Sequence, residues 1–151
     1  MDLIEACIIN DTEKALGLIM NNDTNLGSVD DDGYTALIWA CQNGMTEVAL
    51  ELIKTEHAKS EQINEEGNTA LIWACQNGMT EVALELIKTG HAKPEHIDKD
   101  DNTALILACY EGMTEVALEL IKTGHAKPDH IDKDDNTALI LACYYEMKEV
   151  A

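Results

Sequence analysis

The chain has 151 residues, 46% of them apolar, and its ten basic residues are all Lys, set against 29 Asp and Glu for a net charge of −19. Such a surface repels nucleic-acid phosphates, and without Arg it lacks the bidentate reader of guanine, so a nucleic-acid partner is not expected. No apolar run approaches the roughly 18 residues of a membrane span, and "MDLIEACIIN" has no basic stretch ahead of its short apolar run, as a secretory signal requires.

From its first residue the chain is periodic. "TALIWACQNGMTEVALELIKT" spans Thr35–Thr55 and returns unchanged at Thr69–Thr89, and near-copies open at Thr103 and Thr137. The period is 34 residues and reaches back to the start, where Ala6-Cys7, Thr12, Ala15-Leu16 and Leu18-Ile19 align with Ala40-Cys41, Thr46, Ala49-Leu50 and Leu52-Ile53. Five units result, approximately 1–29, 30–63, 64–97, 98–131 and 132–151, forming a single array over 1–151. A period between 20 and 50 residues is the mark of a stacked array.

Each unit reads as a helix pair. Thr35 is expected to cap a first helix, "ALIWACQ", whose Leu37, Ala40 and Cys41 share a face. Asn43-Gly44 ends that helix, because Gly supplies the left-handed conformation. Thr46 is expected to cap a second helix with Val48, Ala49, Leu52 and Ile53 on one stripe and Lys54 at its negative end. Gly90 and Gly124 stop the later copies, while Glu56 in that place predicts a weaker cap. The loops that follow are expected to be anchored by Val29, Ile63, Ile97 and Ile131, ahead of the turns "DDDGYT", "NEEGNT" and "DKDDNT".

A unit of 34 residues cannot stand alone. Ordering its backbone costs roughly 1–2 kcal/mol per residue, and about eight apolar side chains offset only about 1.5–3 kcal/mol each. The units must therefore stack. Cys7, Cys41, Cys75, Cys109 and Cys143 recur once per unit, so they sit about 8–10 Å apart, beyond the ~7 Å reach of a disulfide. They are expected to be reduced and buried, as in an intracellular, cytoplasmic protein.

A turn, a Thr-initiated helix, an "NG" break and a second helix resemble the ankyrin repeat. Asp30, Asp32, Gly33, Thr35, Leu37, Ala40 and Gly44 match the family's signature, whereas Ala36, Ile38, Cys41 and Met45 depart from it, and Asp101 and Asp135 replace the turn Gly. The resemblance implies an all-α solenoid of stacked helix-turn-helix units with short β-turn or hairpin loops. It also implies protein binding without chemistry, through the turn tips and first helices of a concave side. Carried over by position, that surface is Asp31, Asp32, Tyr34, Gln42 and Asn43; then Glu65, Glu66, Asn68, Gln76 and Asn77; then Lys99, Asp100, Asn102, Tyr110 and Glu111; and finally Lys133, Asp134, Asn136, Tyr144 and Tyr145. The high negative charge favours a basic partner protein.

Other residues are weighed against this surface. Trp39 and Trp73 stand where Leu107 and Leu141 do, which argues for packing between first helices rather than an outward anchor. Leu16, Leu50, Leu84 and Leu118 lie off the second helix's stripe, and cover by a neighbouring unit competes with a convex self-association patch. His57, His91 and His125 recur with the period, near His96 and His130, but layers about 8–10 Å apart cannot share an ion, so they read as loop histidines. No phosphate loop, zinc spacing or nucleophile constellation is present. No enzyme, metal site or cofactor is expected. Segments Lys88–Cys109 and Lys122–Cys143 differ only at Glu95 versus Asp129, which also suits an engineered or consensus-like scaffold without a native partner, or a self-associating structural array.

The two ends differ. Lys14 and Gly17 replace the apolar Val48 and the Glu51 of the next unit, so the first unit can face water as a cap. At the other end Glu146 replaces Gly44, and Ala151 corresponds to Ala49, halfway along a second helix. Residues after about Tyr144 are expected to fray or to extend the first helix, and the open flank to favour end-to-end contact between chains.

Overall fold

The structure, a computed structural model, describes residues 1–21 and 25–151. Among them the first helices of the units are α1 (Leu3–Ile8), α3 (Ala36–Gln42), α5 (Ala70–Gln76), α7 (Ala104–Tyr110) and α9 (Ala138–Tyr144). The second helices are α2 (Thr12–Met20), α4 (Thr46–Lys54), α6 (Thr80–Lys88) and α8 (Thr114–Lys122). First helices pack on first helices and second on second, giving two helical layers with the core between them. Leu37, Ala40, Cys41, Val48, Ala49 and Leu52 are fully buried, as are their counterparts in the third and fourth units. No described helix is long and apolar enough to cross a membrane.

Local chemistry sets the helix ends. The hydroxyls of Thr35, Thr69, Thr103 and Thr137 each accept the backbone N–H three residues on, at 3.1–3.2 Å. Such a cap contributes about 1 kcal/mol. The second helices start differently from the sequence expectation. Thr46 is the first helical residue, not the cap; Met45 holds the cap position with its side chain buried in the core, and its thioether, a weak acceptor, makes no capping hydrogen bond. In the first unit that position is Asp11, whose carboxylate accepts the Lys14 N–H at 2.9 Å. Lys14 is exposed, but so are Ile8, Ile9 and Met20, so the first unit shows water a mixed surface rather than the polar cap expected of it.

The loops are anchored by other residues than expected. Val29 and Ile131 are exposed and Ile63 and Ile97 only half-buried, while Ala58, Ala92 and Ala126 are buried. Glu56 adopts the left-handed φ of 59° that Gly90 and Gly124 adopt at 73°.

Glu146 likewise takes φ 57°, and its N–H donates to the Cys143 carbonyl at 3.2 Å, just as Gly112 donates to Cys109. The turn is thus kept, and α9 ends at Tyr144 rather than running on. Met147 is buried in the place of Met113. Cys7, Cys41, Cys75 and Cys109 are buried free thiols, but Cys143 is exposed, because no further unit lies over it. Leu16, Leu50, Leu84 and Leu118 are all half-buried, and the first three pack against the core.

Candidate protein-binding surface

Each turn is organised by one carboxylate or amide. Asp30 Oδ1 accepts the N–H groups of Asp32 and Tyr34 at 3.1 and 2.8 Å. Asp98 and Asp132 do the same for Asp100 and Asn102, and for Asp134 and Asn136, at 2.8–2.9 Å. Asn64 Oδ1 accepts from Asn68 at 2.8 Å. Gly33, at φ 81°, also sits so close to Asn64 that a Cβ would lie 3.1 Å from its Cα. Asp101 and Asp135 reach the same region at φ 61°, which short polar side chains tolerate.

Neighbouring turns are tied together. Glu65 N–H donates to the Asp32 carbonyl at 2.9 Å, and the Lys99 ammonium donates to the Glu65 carbonyl. Lys133 Nζ meets Asp100 Oδ1 at 2.8 Å, an exposed pair of small energetic value. His96 Nε2 lies 2.7 Å from the Gly67 carbonyl, and His130 Nε2 lies 2.9 Å from that of Asp101. Both histidines therefore brace the preceding turn. In the sequence both read as loop residues, and their recurrence at the 34-residue period is the signal of a shared role.

The expected surface residues divide into two groups. Asp31, Asp32, Glu65, Glu66, Gln76, Asn77, Lys99, Asp100, Tyr110, Glu111, Lys133, Asp134, Tyr144 and Tyr145 are exposed. Tyr34 is not displayed: it is only 5% exposed and stacks on Trp39, with ring centroids 4.4 Å apart. Loss of water, then a hydrogen bond to the Glu66 carboxylate, pushes its phenol well above the usual tyrosine range. Asn43 and Asn77 serve as struts, their Nδ2 groups donating to the carbonyls of Cys7 and Cys41 at 2.8 and 2.9 Å. Asn102 and Asn136 turn back to Asp98 and Asp132 at 3.3 and 3.4 Å. Asn68 is buried, and Gln42 is half-buried, with an Oε1 that has no partner among the described residues.

Trp39 and Trp73 are both half-buried and packed against the core. Trp39 Nε1 donates to Asp30 Oδ2 at 3.0 Å. Trp73 Nε1 is buried without a partner among the described residues, and so is Asn64 Nδ2. A groove of about 420 Å³ opens beside Trp73, lined by Glu66, Gln76, Asp98, Lys99 and Asp100 among others. A wider groove of about 750 Å³, between the loops carrying His57 and His91, contains none of the expected surface residues.

Burial raises the cysteine thiols, so the core offers no ready thiolate. Cys7 is pushed up to about 12 and Cys109 to about 11, with Cys41 and Cys75 higher still. Such thiols are poor nucleophiles at neutral pH. What the arrangement offers is a row of rigidly spaced carboxylates that runs into a group of tyrosines.

A family model described as ankyrin repeats (3 copies) matches the chain over residues 3–98 and again over 85–151. No curated protein matches it.

Proposed function

Because the chain belongs to the ankyrin-repeat family, a family that is typically non-catalytic and generally mediates protein–protein interaction, we propose that it binds a basic partner protein. The binding surface in this reading is the concave side formed by the turn tips and first helices. The observation that carries the reading is the bracing between turns: Glu65 to Asp32, Lys99 to Glu65 and His96 to Gly67. These bonds fix the tips in a row while Asp31, Asp32, Glu65, Glu66 and Asp134 remain exposed. A preorganised row of like charges lowers the ordering cost of binding and steers an oppositely charged partner.

Affinity capture from lysate with the full chain, compared with a variant carrying Ser at Asp31, Asp32, Glu65 and Glu66, tests this. A specific partner should be lost in the variant, and its association should slow as salt is raised. Equal capture by both proteins would reject the surface.

A further inference from the structure

Tyr110, Tyr144 and Tyr145 form one exposed aromatic corner. Tyr145 lies 5.8 Å from Tyr110 with the ring planes 74° apart, and 4.9 Å from Tyr144 with the planes 82° apart. The period explains the assembly. Tyr110 and Tyr144 are the last residues of α7 and α9, which stack on each other, and Tyr145 is the C-cap residue that follows. In the second and third units the matching positions are Gln42 and Asn43, then Gln76 and Asn77, so no ring corner forms there.

The corner is not core. Its rings remain 56%, 77% and 41% exposed while touching one another. Two edge-to-face contacts, both through Tyr145, hold the three rings together, and the exposure of Tyr110 and Tyr144 leaves ring surface beyond those contacts to solvent. Glu111, the C-cap of α7, is exposed alongside. After loss of water and the other two tyrosines, its carboxylate is among the groups that raise the Tyr145 phenol. Ring faces beside a carboxylate, on a chain of net charge −19, attract cations. Carboxylates alone would accept any cation, but an aromatic face prefers one that is flat and weakly hydrated. That describes a guanidinium better than an ammonium.

We propose that the Tyr110–Tyr144–Tyr145 corner receives an arginine side chain of the basic partner, its guanidinium stacked on a tyrosine face and its charge met by Glu111. This rests on the partner-surface reading above and adds a residue preference to it. The chain supplies no Arg of its own, so the side chain comes from the partner.

The test uses three heptapeptide probes of alternating Gly with Arg, Lys or citrulline, titrated against the labelled full chain by NMR near physiological salt. Citrulline keeps the flat shape but loses the charge. The Arg probe should shift the ring signals of the three tyrosines and bind about two- to five-fold more tightly than the Lys probe, with the citrulline probe weakest. Tyr145→Leu, which leaves the charge unchanged, should erase the preference for Arg over Lys, and Tyr144→Ser, at the most exposed ring, should weaken it. Equal binding of the Arg and Lys probes, or an unchanged preference in both variants, overturns the proposal. Shifts confined to the turns at Asp31–Tyr34 and Glu65–Asn68, with silent tyrosine rings, reject the arginine site and leave the partner surface standing. Silence everywhere rejects both.

Discussion

The second and third units contain the same 21 residues, Thr35–Thr55 and Thr69–Thr89, and fold them into the same two helices, yet they hold their tryptophans differently. Trp39 is pinned by Asp30 and stacked on Tyr34. Trp73 has Asn64 and Asn68 at those positions and, among the described residues, neither an indole hydrogen bond nor a ring partner. The cause lies in the turn, five to nine residues upstream. Asp30 has two accepting oxygens, one for the turn N–H groups and one for the indole. Asn64 has a single oxygen, committed to Asn68, and presents a second donor where an acceptor is needed. Identical helices therefore need not give identical surfaces.

The largest expected effect comes from what the two units share. Cys41 and Cys75 are both fully buried, with thiols raised chiefly by burial. The unfolded chain loses these protons near pH 9 while the folded chain keeps them, so unfolding is promoted as pH rises. Stability should be level up to about pH 9, the ordinary thiol value, and fall steadily above it. Tyr34 adds to this only above about pH 10, and only in the second unit. Urea unfolding at stepped pH checks the limb, and Tyr34→Phe should be less steep above pH 10 than the unaltered chain. No alkaline loss at all would place the thiols in contact with water.

Next in size is a change that makes the second unit resemble the third. Asp30→Asn keeps the turn's shape but sets an amide donor against the Trp39 indole, and should cost about 1–3 kcal/mol in unfolding free energy. A loss near zero would mean that Trp39 gains little from its bond. The Thr caps provide the control. Thr35→Ala and Thr69→Ala should each cost about 1 kcal/mol and match one another, since both hydroxyls make the same bond at 3.1 and 3.2 Å. Unequal losses would show that the turns reach further into the helices than the hydrogen bonds indicate.

The same contrast explains what could be read from the sequence. Helix starts at Thr35 and Thr69 and the stops at Asn43-Gly44 and Asn77-Gly78 were legible, because each depends on a few adjacent residues. The fold followed from the period. The role of Thr46 was misread because burial of the neighbouring Met45 decides where that helix begins. Tyr34 looked like a displayed turn residue, and its burial depends on Trp39, which shares the unit but lies on the helix. Asn43 and Asn77 read as surface amides, and Asn77 is exposed, but both also bond to the unit before, at Cys7 and Cys41. The exposed carboxylates were legible from their place on the turn tips, even where Lys133 meets Asp100 and Tyr34 meets Glu66. The struts were not, because each needs the distance between layers as well as the letters.

The smallest expected effect is the reverse exchange, Asn64→Asp. The new carboxylate would offer Trp73 the acceptor that Asp30 offers Trp39, relieving two buried donors at once. Satisfying a buried donor is worth about 1–3 kcal/mol. Against that stand the cost of burying a charge at a side chain only 4% exposed and repulsion from the nearby turn acids Glu65 and Glu66, on a chain already at −19. The two effects oppose each other, so the net gain should be under about 1 kcal/mol and should grow as salt screens the repulsion. Stability alone is then a weak discriminator, but the indole proton is a sharp one. In the unaltered chain the Trp73 Nε1–H should exchange faster than that of Trp39, which is held by a bond, and in Asn64→Asp the two rates should converge. If the Trp73 proton is already as protected as that of Trp39 before the substitution, the indole has an acceptor in the native chain and the contrast between the two units does not hold.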